Sequence, residues 1–271
     1  MPREYPNPFI EGAQENDLPP ARPVIGYPGG KGRLLKHILP LIPPHTTYVE
    51  PFFGGGAVFF SKAKSPHEVI NDINRDLVHF MRNAKAHREA ILDELALVLN
   101  SRREFEDYLV QPGLTENQRA ARWFIRNKLS FGGMGQNFAI TRTHSITSRA
   151  KYLIAIQSLS RRLDSTTIEE RPYEKIFASY DSPETFWFLD PPYLDAGGSA
   201  YAGWSLDQVR EFCSRVKKLK GAWLVTFQDC PLIRDELAGY KVKAIKRANG
   251  IGNNTGKKGR VYREVLISST P

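Results

Sequence analysis

The 271-residue sequence predicts an α/β protein built on a doubly wound sheet, and three observations support this class. With 41% hydrophobic and 25% charged residues the chain can bury a large core, which excludes fibrous and disordered proteins. A strand, a glycine turn, a helix and a second strand follow one another between residues 46 and 72, as at the start of such a sheet. Strand-like segments return late in the chain, at 186–189, 222–227, 241–247 and 261–268.

The N-terminal third is predicted from local patterns. Apolar residues at helical spacing over 33–41 indicate a helix that ends at Pro43-Pro44. The next elements expected are a strand, a helix and a strand, over 46–50, 57–63 and 68–72.

The middle of the chain is predicted to be helical. Helices are expected over 76–99, 115–130 and 149–163, with a glycine-rich loop at 131–138. Asp72 and Asp190, which end two of the strands, stand 118 positions apart, far more than one crossover connection needs. We therefore expect a helical insertion over 85–165.

The chain start, the hydropathy and the cysteines indicate the compartment. Residues 1–23 hold six prolines and no periodicity, so they are expected to form an extended arm. No apolar stretch approaches the roughly 20 residues of a membrane span, and the first residues lack the apolar core of a signal peptide. Cys213 and Cys230 form no metal-binding spacing and no disulfide framework. We expect a cytoplasmic protein with no metal ion and no membrane partner.

The net charge of +9 is concentrated in two segments. Residues 119–162 hold nine Lys or Arg and no acid, residues 241–263 hold eight and no acid, and the rest carries 21 basic and 29 acidic residues. Two basic surfaces on an acidic body favour contact with nucleic acid, because each neutralised phosphate releases counterions. Solvated helix faces are the alternative interpretation.

Two glycine-rich segments are candidate ligand sites. The turn Gly54-Gly55-Gly56 follows the first strand, where glycine permits positive φ and a close approach of ligand to backbone. Asp72 ends the next strand, where a carboxylate can accept hydrogen bonds from both ribose hydroxyls, so the pair suggests a nucleoside-containing cofactor. An incomplete G-x-G-x-x-G argues against NAD. The segment Tyr27-Pro28-Gly29-Gly30-Lys31 is a candidate anion or carboxylate site. An ordinary turn is the alternative for both segments.

The segment Asp190-Pro191-Pro192-Tyr193 carries the most specific chemistry. The prolines fix φ and have no N–H, and they leave carbonyl acceptors without a local partner. Asp190 and the Pro191 carbonyl can therefore present two acceptors to the two hydrogens of one amino group, while Tyr193 supplies a stacking face. This arrangement fits the exocyclic amine of a nucleobase. The alternative is a Pro-Pro turn with the acid as a cap and the tyrosine packed.

Four motifs in one order carry a resemblance to a known family. They are Tyr27-x-Gly29-Gly30-Lys31, Glu50-Pro51-Phe52-x-Gly54-x-Gly56, Asn71-Asp72-Ile73-Asn74 and Asp190-Pro191-Pro192-Tyr193. The sequence resembles the Dam-like family of S-adenosylmethionine-dependent DNA N6-adenine methyltransferases, from about Val24 to Arg263-Glu264-Val265-Leu266-Ile267. The last tetrad alone is less specific, because cytosine-N4 and some RNA methyltransferases carry relatives of it.

The resemblance implies a Rossmann-like methyltransferase sheet with a C-terminal antiparallel hairpin and a helical target-recognition insertion. The S-adenosylmethionine-binding catalytic domain would comprise 24–84 and 166–271, and the DNA-binding insertion 85–165. The expected enzyme is a site-specific adenine methyltransferase of bacterial or phage origin that acts on double-stranded DNA, as a monomer or weak dimer. Because segment 126–135 does not match the reader segment of relatives that read GATC, no target sequence is predicted.

The resemblance also assigns residues by position. The catalytic set is Asp190, Pro191, Pro192 and Tyr193. The cofactor set is Tyr27, Gly29, Gly30, Lys31, Glu50, Phe52, Gly54, Gly56, Asp72, Ile73 and Asp190. The candidate DNA-binding residues, taken from the two basic segments, are Arg119, Arg122, Arg126, Lys128, Arg142, Arg149, Lys257, Lys258 and Arg260.

The expected mechanism places both acceptors on the adenine amine. Asp190 and the Pro191 carbonyl would accept the N6 hydrogens and stabilise the transition state. Because N6 is paired in a duplex, the base would be rotated out and stacked on Tyr193. A protein side chain would fill the gap that the base leaves in the duplex, and the candidates are Phe131, Met134 and Phe138. The alternative is that these side chains belong to the hydrophobic core. The alternative functions are RNA adenine-N6 methylation, DNA cytosine-N4 methylation and DNA binding without catalysis.

Overall fold

The protein contains a seven-stranded sheet accompanied by helices. The structure is a computed structural model that describes residues 19–139, 149–194, 203–248 and 261–270. The strands are β1 Thr47–Glu50, β2 His67–Asn71, β3 Thr166–Glu169, β4 Thr185–Leu189, β5 Ala222–Gln228, β6 Lys241–Ala248 and β7 Val261–Ser268. The helices are α1 Leu35–Ile38, α2 Ala57–Ser61, α3 Arg75–Ala86, α4 Arg88–Ala96, α5 Arg102–Val110, α6 Glu116–Leu129, α7 Arg149–Leu163, α8 Tyr173–Tyr180, α9 Leu206–Val216 and α10 Pro231–Glu236.

The strand order is β3-β2-β1-β4-β5-β7-β6. β1 pairs in parallel with β2 and β4, β4 pairs in parallel with β5, and β7 runs antiparallel to both β5 and β6. The chain runs outward from β1 to β3 and then returns to place β4 on the other side of β1. The order thus reverses between β1 and β4, which is where doubly wound sheets bind their ligands. The predicted fold class, with its C-terminal antiparallel hairpin, is confirmed.

The central strands are buried on both faces. All five residues of β4, in the sequence Thr-Phe-Trp-Phe-Leu, are buried, and such a continuous apolar run is typical of a covered parallel strand. One face of β4 and β5, with Trp187 and Val225, packs against buried residues of α8, α9 and α10. The N-terminus of α9 is fixed by a capping box between Ser205 and Gln208. These contacts hold the ends of β4 and β5 in place.

The chain divides into two compact units. The first comprises the described residues of Met1–Lys31, Gly54–Ser61 and Asn74–Thr166. It contains helices α2 to α7, and the helical segment expected over 85–165 lies inside it. The second contains most of the sheet with α1, α8, α9 and α10, and its ranges are Gly32–Phe53, Lys62–Ile73 and Thr167–Pro271. Of the predicted arm 1–23, only residues 19–23 belong to the described part of the chain.

The single helix predicted over 76–99 is two helices in the structure, so that prediction was wrong. The backbone of His87 leaves the helical region, with φ −130° and ψ 40°, and this residue ends α3 and begins α4. The N–H group of His87 still donates to the Asn83 carbonyl at 2.7 Å, which closes the last turn of α3. Periodicity alone did not reveal the break, because apolar residues resume at helical spacing beyond it. Among the described ranges, no helix combines the length and the apolar character needed to cross a membrane.

Candidate active site at the carboxyl ends of the strands

Three acidic side chains lie at one edge of the sheet in the second unit. β1 ends at Glu50, β2 ends one residue before Asp72, and β4 ends one residue before Asp190. Because these three strands are parallel, their carboxyl ends share one edge. Glu50 and Asp72 are 2% and 8% exposed, and Asp190 is half-buried. The switch point therefore has Glu50 on one side and Asp190 on the other.

Asp190 is held by a residue of the neighbouring strand. The hydroxyl of Thr226 on β5 donates a 2.7 Å hydrogen bond to Oδ1 of Asp190. Leu189 and Val225 are register partners, so the next residue on each strand is brought to the same position along the sheet. Sequence reasoning missed Thr226. The available signal was a lone hydroxyl in the otherwise apolar run Ala-Trp-Leu-Val-Thr-Phe.

The residues after Asp190 are fixed from two sides. Pro191 is buried, and the ring of Tyr193 lies 5.0 Å from that of Phe227, tilted by 52°. The carbonyl of Tyr193 accepts a 2.9 Å hydrogen bond from the N–H group of Trp204. This hydrogen bond connects the chain before residues 195–202 to the chain after them, and Tyr193 is itself the last residue of the predicted catalytic tetrad.

An aromatic cluster surrounds Phe52, one of the predicted cofactor residues. Its ring centroid lies 5.4 Å from Tyr173, 5.7 Å from Trp204 and 5.9 Å from Phe212. Burial raises the pKa of Tyr173 above its usual value, so this phenol stays neutral across the physiological range. Phe52 is half-buried in this cluster and thereby fixed after β1.

Asn71 sets the geometry before Asp72. Its buried side-chain amide donates to the carbonyls of Pro51 and Arg171 at 2.8 and 3.0 Å, and its oxygen accepts from the Arg171 N–H group at 2.8 Å. The end of β2 is thus tied to the chain after β1 and to the segment before α8. Ile73, directly after Asp72, is 68% exposed. A buried carboxylate beside an exposed apolar side chain suits a ribose joined to a flat base.

Glu50 belongs to a buried polar group. The Tyr48 hydroxyl donates to Oε2 of Glu50 at 2.7 Å. The ammonium group of Lys62 lies 4.1 Å from the centroid of the Tyr48 ring and pairs with the buried carboxylate of Glu68. These contacts fix the Glu50 side chain at the end of β1.

The two glycine-rich segments meet inside the first unit. A Cβ added to Gly54 would lie 2.9 Å from the Tyr27 ring, so the turn and the 27–31 segment are in direct contact. Positive φ angles of 77°, 49° and 65° occur at Gly29, Gly54 and Gly56, and L side chains are strained in this region. Lys31 is buried, and its ammonium group donates to the Gly29 carbonyl at 2.8 Å.

Asn127, which sequence reasoning did not single out, supports the start of that segment. Its side-chain oxygen accepts from the Gly26 N–H group, and its amide nitrogen donates to the Gly26 carbonyl, both at 2.8 Å. The same nitrogen donates to the carbonyl of Gly133 at 2.5 Å. A Cβ at Gly133 would clash with Gly26 at 2.5 Å, so the two backbones can approach this closely only because Gly133 is glycine. α6 and the loop after it therefore anchor the chain that leads into Tyr27.

The described basic candidates are engaged within the first unit. Arg119 pairs with Asp76 at 3.5 Å. Arg122 donates to the Gln111 carbonyl at 2.9 Å, and Arg126 donates to the Gly135 carbonyl at 3.3 Å. Burial lowers the pKa of Arg126. Their roles in DNA binding stay predictions, and Arg122 and Arg126 also hold the ends of nearby loops.

The other predicted DNA-contacting residues are partly outside the described structure. Phe138 is half-buried, with its ring 5.6 Å from Phe105 and the Arg102 guanidinium 4.7 Å away. Met134 is also half-buried. For the remaining candidates, either the whole residue or its side chain lies outside the described structure. These are Phe131, Arg142, Arg149, Lys257, Lys258 and Arg260. Among the side chains that the structure does describe, no three His, Cys, Asp or Glu are grouped to hold a metal ion.

The fold is a Rossmann-like sheet whose strand order reverses between β1 and β4, which is where sheets of this class bind their ligands. Residues 27–249 match the model of the D12 class N6 adenine-specific DNA methyltransferases, and the chain belongs to this family. The protein is therefore an adenine-specific DNA methyltransferase, as predicted, and the family implies S-adenosylmethionine as the methyl donor.

The names of two related methyltransferases agree with this assignment. The chain is 25% identical to the type II methyltransferase M1.LlaDCHI of Lactococcus lactis subsp. cremoris, over 92% of this chain and 95% of that protein. It is also 25% identical to a DNA adenine methylase of Vibrio cholerae, over 92% of this chain and 96% of that one. Among solved structures, an rRNA methyltransferase of Streptomyces viridochromogenes aligns with a TM-score of 0.41 and 13% identity, over 96% of this chain and 94% of that chain.

The buried Lys128 leads to a testable pH dependence of stability. Burial lowers its pKa from 10.5 to about 8, and its ammonium group lies 5.5 Å from the Phe124 ring. Between these pH values the unfolded chain binds a proton at this residue that the folded chain does not, so the contribution of Lys128 to stability should rise from pH 8 to 10.5, by at most about 3 kcal/mol. Burial raises the pKa of Cys213 from 9.0 to about 12, which acts in the opposite direction above pH 9 in both proteins, so the test is the difference between them. In urea unfolding, Lys128→Met should be more stable than the wild type at pH 7, and this advantage should shrink as the pH rises to 10.5.

Lys151→Met, at an exposed position of α7, is the control and should keep the wild-type pH profile. An advantage of Lys128→Met over the wild type that stays constant from pH 7 to 10.5 would show that Lys128 does not titrate in this range.

Proposed function

We propose that the protein transfers the methyl group of S-adenosylmethionine to N6 of an adenine rotated out of double-stranded DNA. The observation that carries this proposal is the position of Asp190 at the carboxyl end of β4, beside the β1/β4 switch point and held there by Thr226. Asp190 and the Pro191 carbonyl are the acceptors for the N6 hydrogens. The proposed catalytic set is completed by Pro192 and Tyr193.

The residues at the end of β2 fit the nucleoside part of the cofactor. Asp72 would accept hydrogen bonds from the ribose hydroxyls, and exposed Ile73 would be covered by the adenine ring. Glu50 and Phe52, both fixed by their neighbours, would face the methionine part. Bound S-adenosylmethionine supplies a methyl group on a positively charged sulfur. Further cofactor contacts are proposed for Tyr27, Gly29, Gly30, Lys31, Gly54 and Gly56.

The two acceptors address the main difficulty of the reaction. The lone pair of adenine N6 is delocalised into the ring, so the amine is a poor nucleophile. By accepting both N6 hydrogens, Asp190 and the Pro191 carbonyl favour a pyramidal nitrogen and stabilise the positive charge that develops on it. After transfer, the proton lost by N6 leaves to solvent.

The adenine must leave the duplex, because N6 is paired there and cannot be reached in line. Extrusion costs a few kcal/mol, which stacking on the Tyr193 ring would partly offset. The basic residues of 119–162 and 241–263 would contact phosphates and base edges. A cytoplasmic monomer or weak dimer remains our expectation.

Replacement of the acid tests the catalytic assignment. Asp190→Ala should lower the rate of radiolabelled methyl transfer to duplex DNA by about 100-fold or more, because one of the two acceptors is lost. Asp207→Ala, at an exposed position in the first turn of α9, is the matched control. If folded Asp190→Ala kept near-normal turnover, Asp190 would not have this role.

Cofactor binding can be tested without catalysis. Asp72→Ala should raise the Kd for S-adenosylmethionine, measured by isothermal titration calorimetry, by about tenfold or more, because hydrogen bonds to a carboxylate are lost. Asp76→Ala, four residues later and exposed, should bind with the wild-type Kd. Equal Kd values for both variants would remove Asp72 from the site.

Base extrusion can be followed by fluorescence. Once the target is mapped by methylation-sensitive sequencing of DNA from an expressing host, 2-aminopurine can replace the target adenine. Its emission should rise when the wild type or Tyr193→Phe binds the DNA. With Tyr193→Ala the emission of the bound DNA should differ from that with the wild type, because stacking needs the ring and not the hydroxyl. No change in emission with any of the three proteins would refute extrusion.

A further inference from the structure

We propose that Thr226 is a positioning residue that sets the orientation of the Asp190 carboxylate during methyl transfer. The inference rests on the proposed role of Asp190 and adds a residue that acts through it. Thr226 lies in the C-terminal half of β5 and, with 0% exposure, is fully buried. Its hydroxyl donates to Oδ1 of Asp190 at 2.7 Å.

The backbone of Thr226 is fixed on both sides. β5 lies between β4 and β7, and Thr226 pairs in register with Leu266 of β7. On the other side, Leu189 and Val225 are register partners, which sets the offset between Thr226 and Asp190. The branched Cβ of threonine further restricts χ1. The hydroxyl is thus a rigid reference point for the side chain next to it.

The two proposed acceptors differ in how they are positioned. The Pro191 carbonyl is part of the main chain, and the proline rings on either side of its peptide bond fix φ at both residues. The carboxylate of Asp190 depends on two side-chain torsions and sits just beyond the end of its strand. Both acceptors must point at one nitrogen at the same time, and small misplacements of such groups are costly in rate. A bond from Thr226 to one carboxylate oxygen limits rotation about both torsions.

A purely structural role for Thr226 makes a different prediction. A buried hydroxyl that only satisfies a hydrogen bond contributes to folding stability and not to the rate of catalysis. Removing it should therefore lower stability by a similar amount at any such threonine. Thr185 provides the comparison, because it is also buried and donates a 2.7 Å hydrogen bond, to the carbonyl of Tyr180. It begins β4, at the opposite end from Asp190.

The experiment compares three variants in steady-state methylation of duplex DNA. Thr226→Val keeps the shape but removes the donor, and should lower kcat by about tenfold or more, while KM for DNA and the Kd for S-adenosylmethionine stay within about twofold. Thr226→Ser restores the donor and should return kcat to within about threefold of the wild type. Thr185→Val should lower the melting temperature about as much as Thr226→Val, with kcat unchanged.

The inference is overturned if folded Thr226→Val keeps the wild-type kcat, if Thr226→Ser loses as much as Thr226→Val, or if the loss falls on KM alone. An equal loss of kcat in Thr185→Val would likewise show a structural effect. If Thr226→Val does not fold, Thr226→Ala, which also lacks the donor, replaces it under the same criteria. Full activity of Asp190→Ala would instead refute the proposed catalytic role itself.

Discussion

The parallel pairing of β4 with β1 on one side and β5 on the other is the constraint on which the site depends. It places the end of β4 at the reversal of strand order and brings Thr226 into register beside Asp190. Because every residue of β4 is buried and packed on both faces, a shift in its register would disrupt this packing. The position of Asp190 is therefore a consequence of the core.

In the first unit, α6 and the loop after it are hydrogen-bonded to the chain that leads into the glycine-rich segments. Asn127 on α6 makes hydrogen bonds to Gly26 and to Gly133, which lies in the loop after that helix. The same chain continues from Gly26 into Tyr27, whose ring contacts Gly54. The loop after α6 and the glycine turn are thus connected through Gly26 and Tyr27.

Local patterns were sufficient for much of the fold and for the order of the chemically distinctive segments along this chain. The central strands, the terminal hairpin, the glycine turn and Asp190-Pro191-Pro192-Tyr193 were all visible, because each is a short run of distinctive residues. Five further elements were not predicted: β3, α5, α8, α9 and α10. β3 has only four residues, too few to show a period, whereas the apolar residues of α9 do follow helical spacing and were missed. Thr226 and Asn127 depend on strand register and on packing between distant segments, which no local pattern contains. Charge likewise predicted a basic surface, but not that Arg122 and Arg126 donate to neighbouring carbonyls.

The most direct measurement is a crystal structure of the protein with DNA and a non-reactive analogue of S-adenosylmethionine. The account predicts an extrahelical adenine stacked on Tyr193, with N6 within hydrogen-bonding distance of both the Asp190 carboxylate and the Pro191 carbonyl. It also predicts that the bond from Thr226 to Asp190 persists. An adenine bound elsewhere, or a carboxylate turned away from N6, would contradict it.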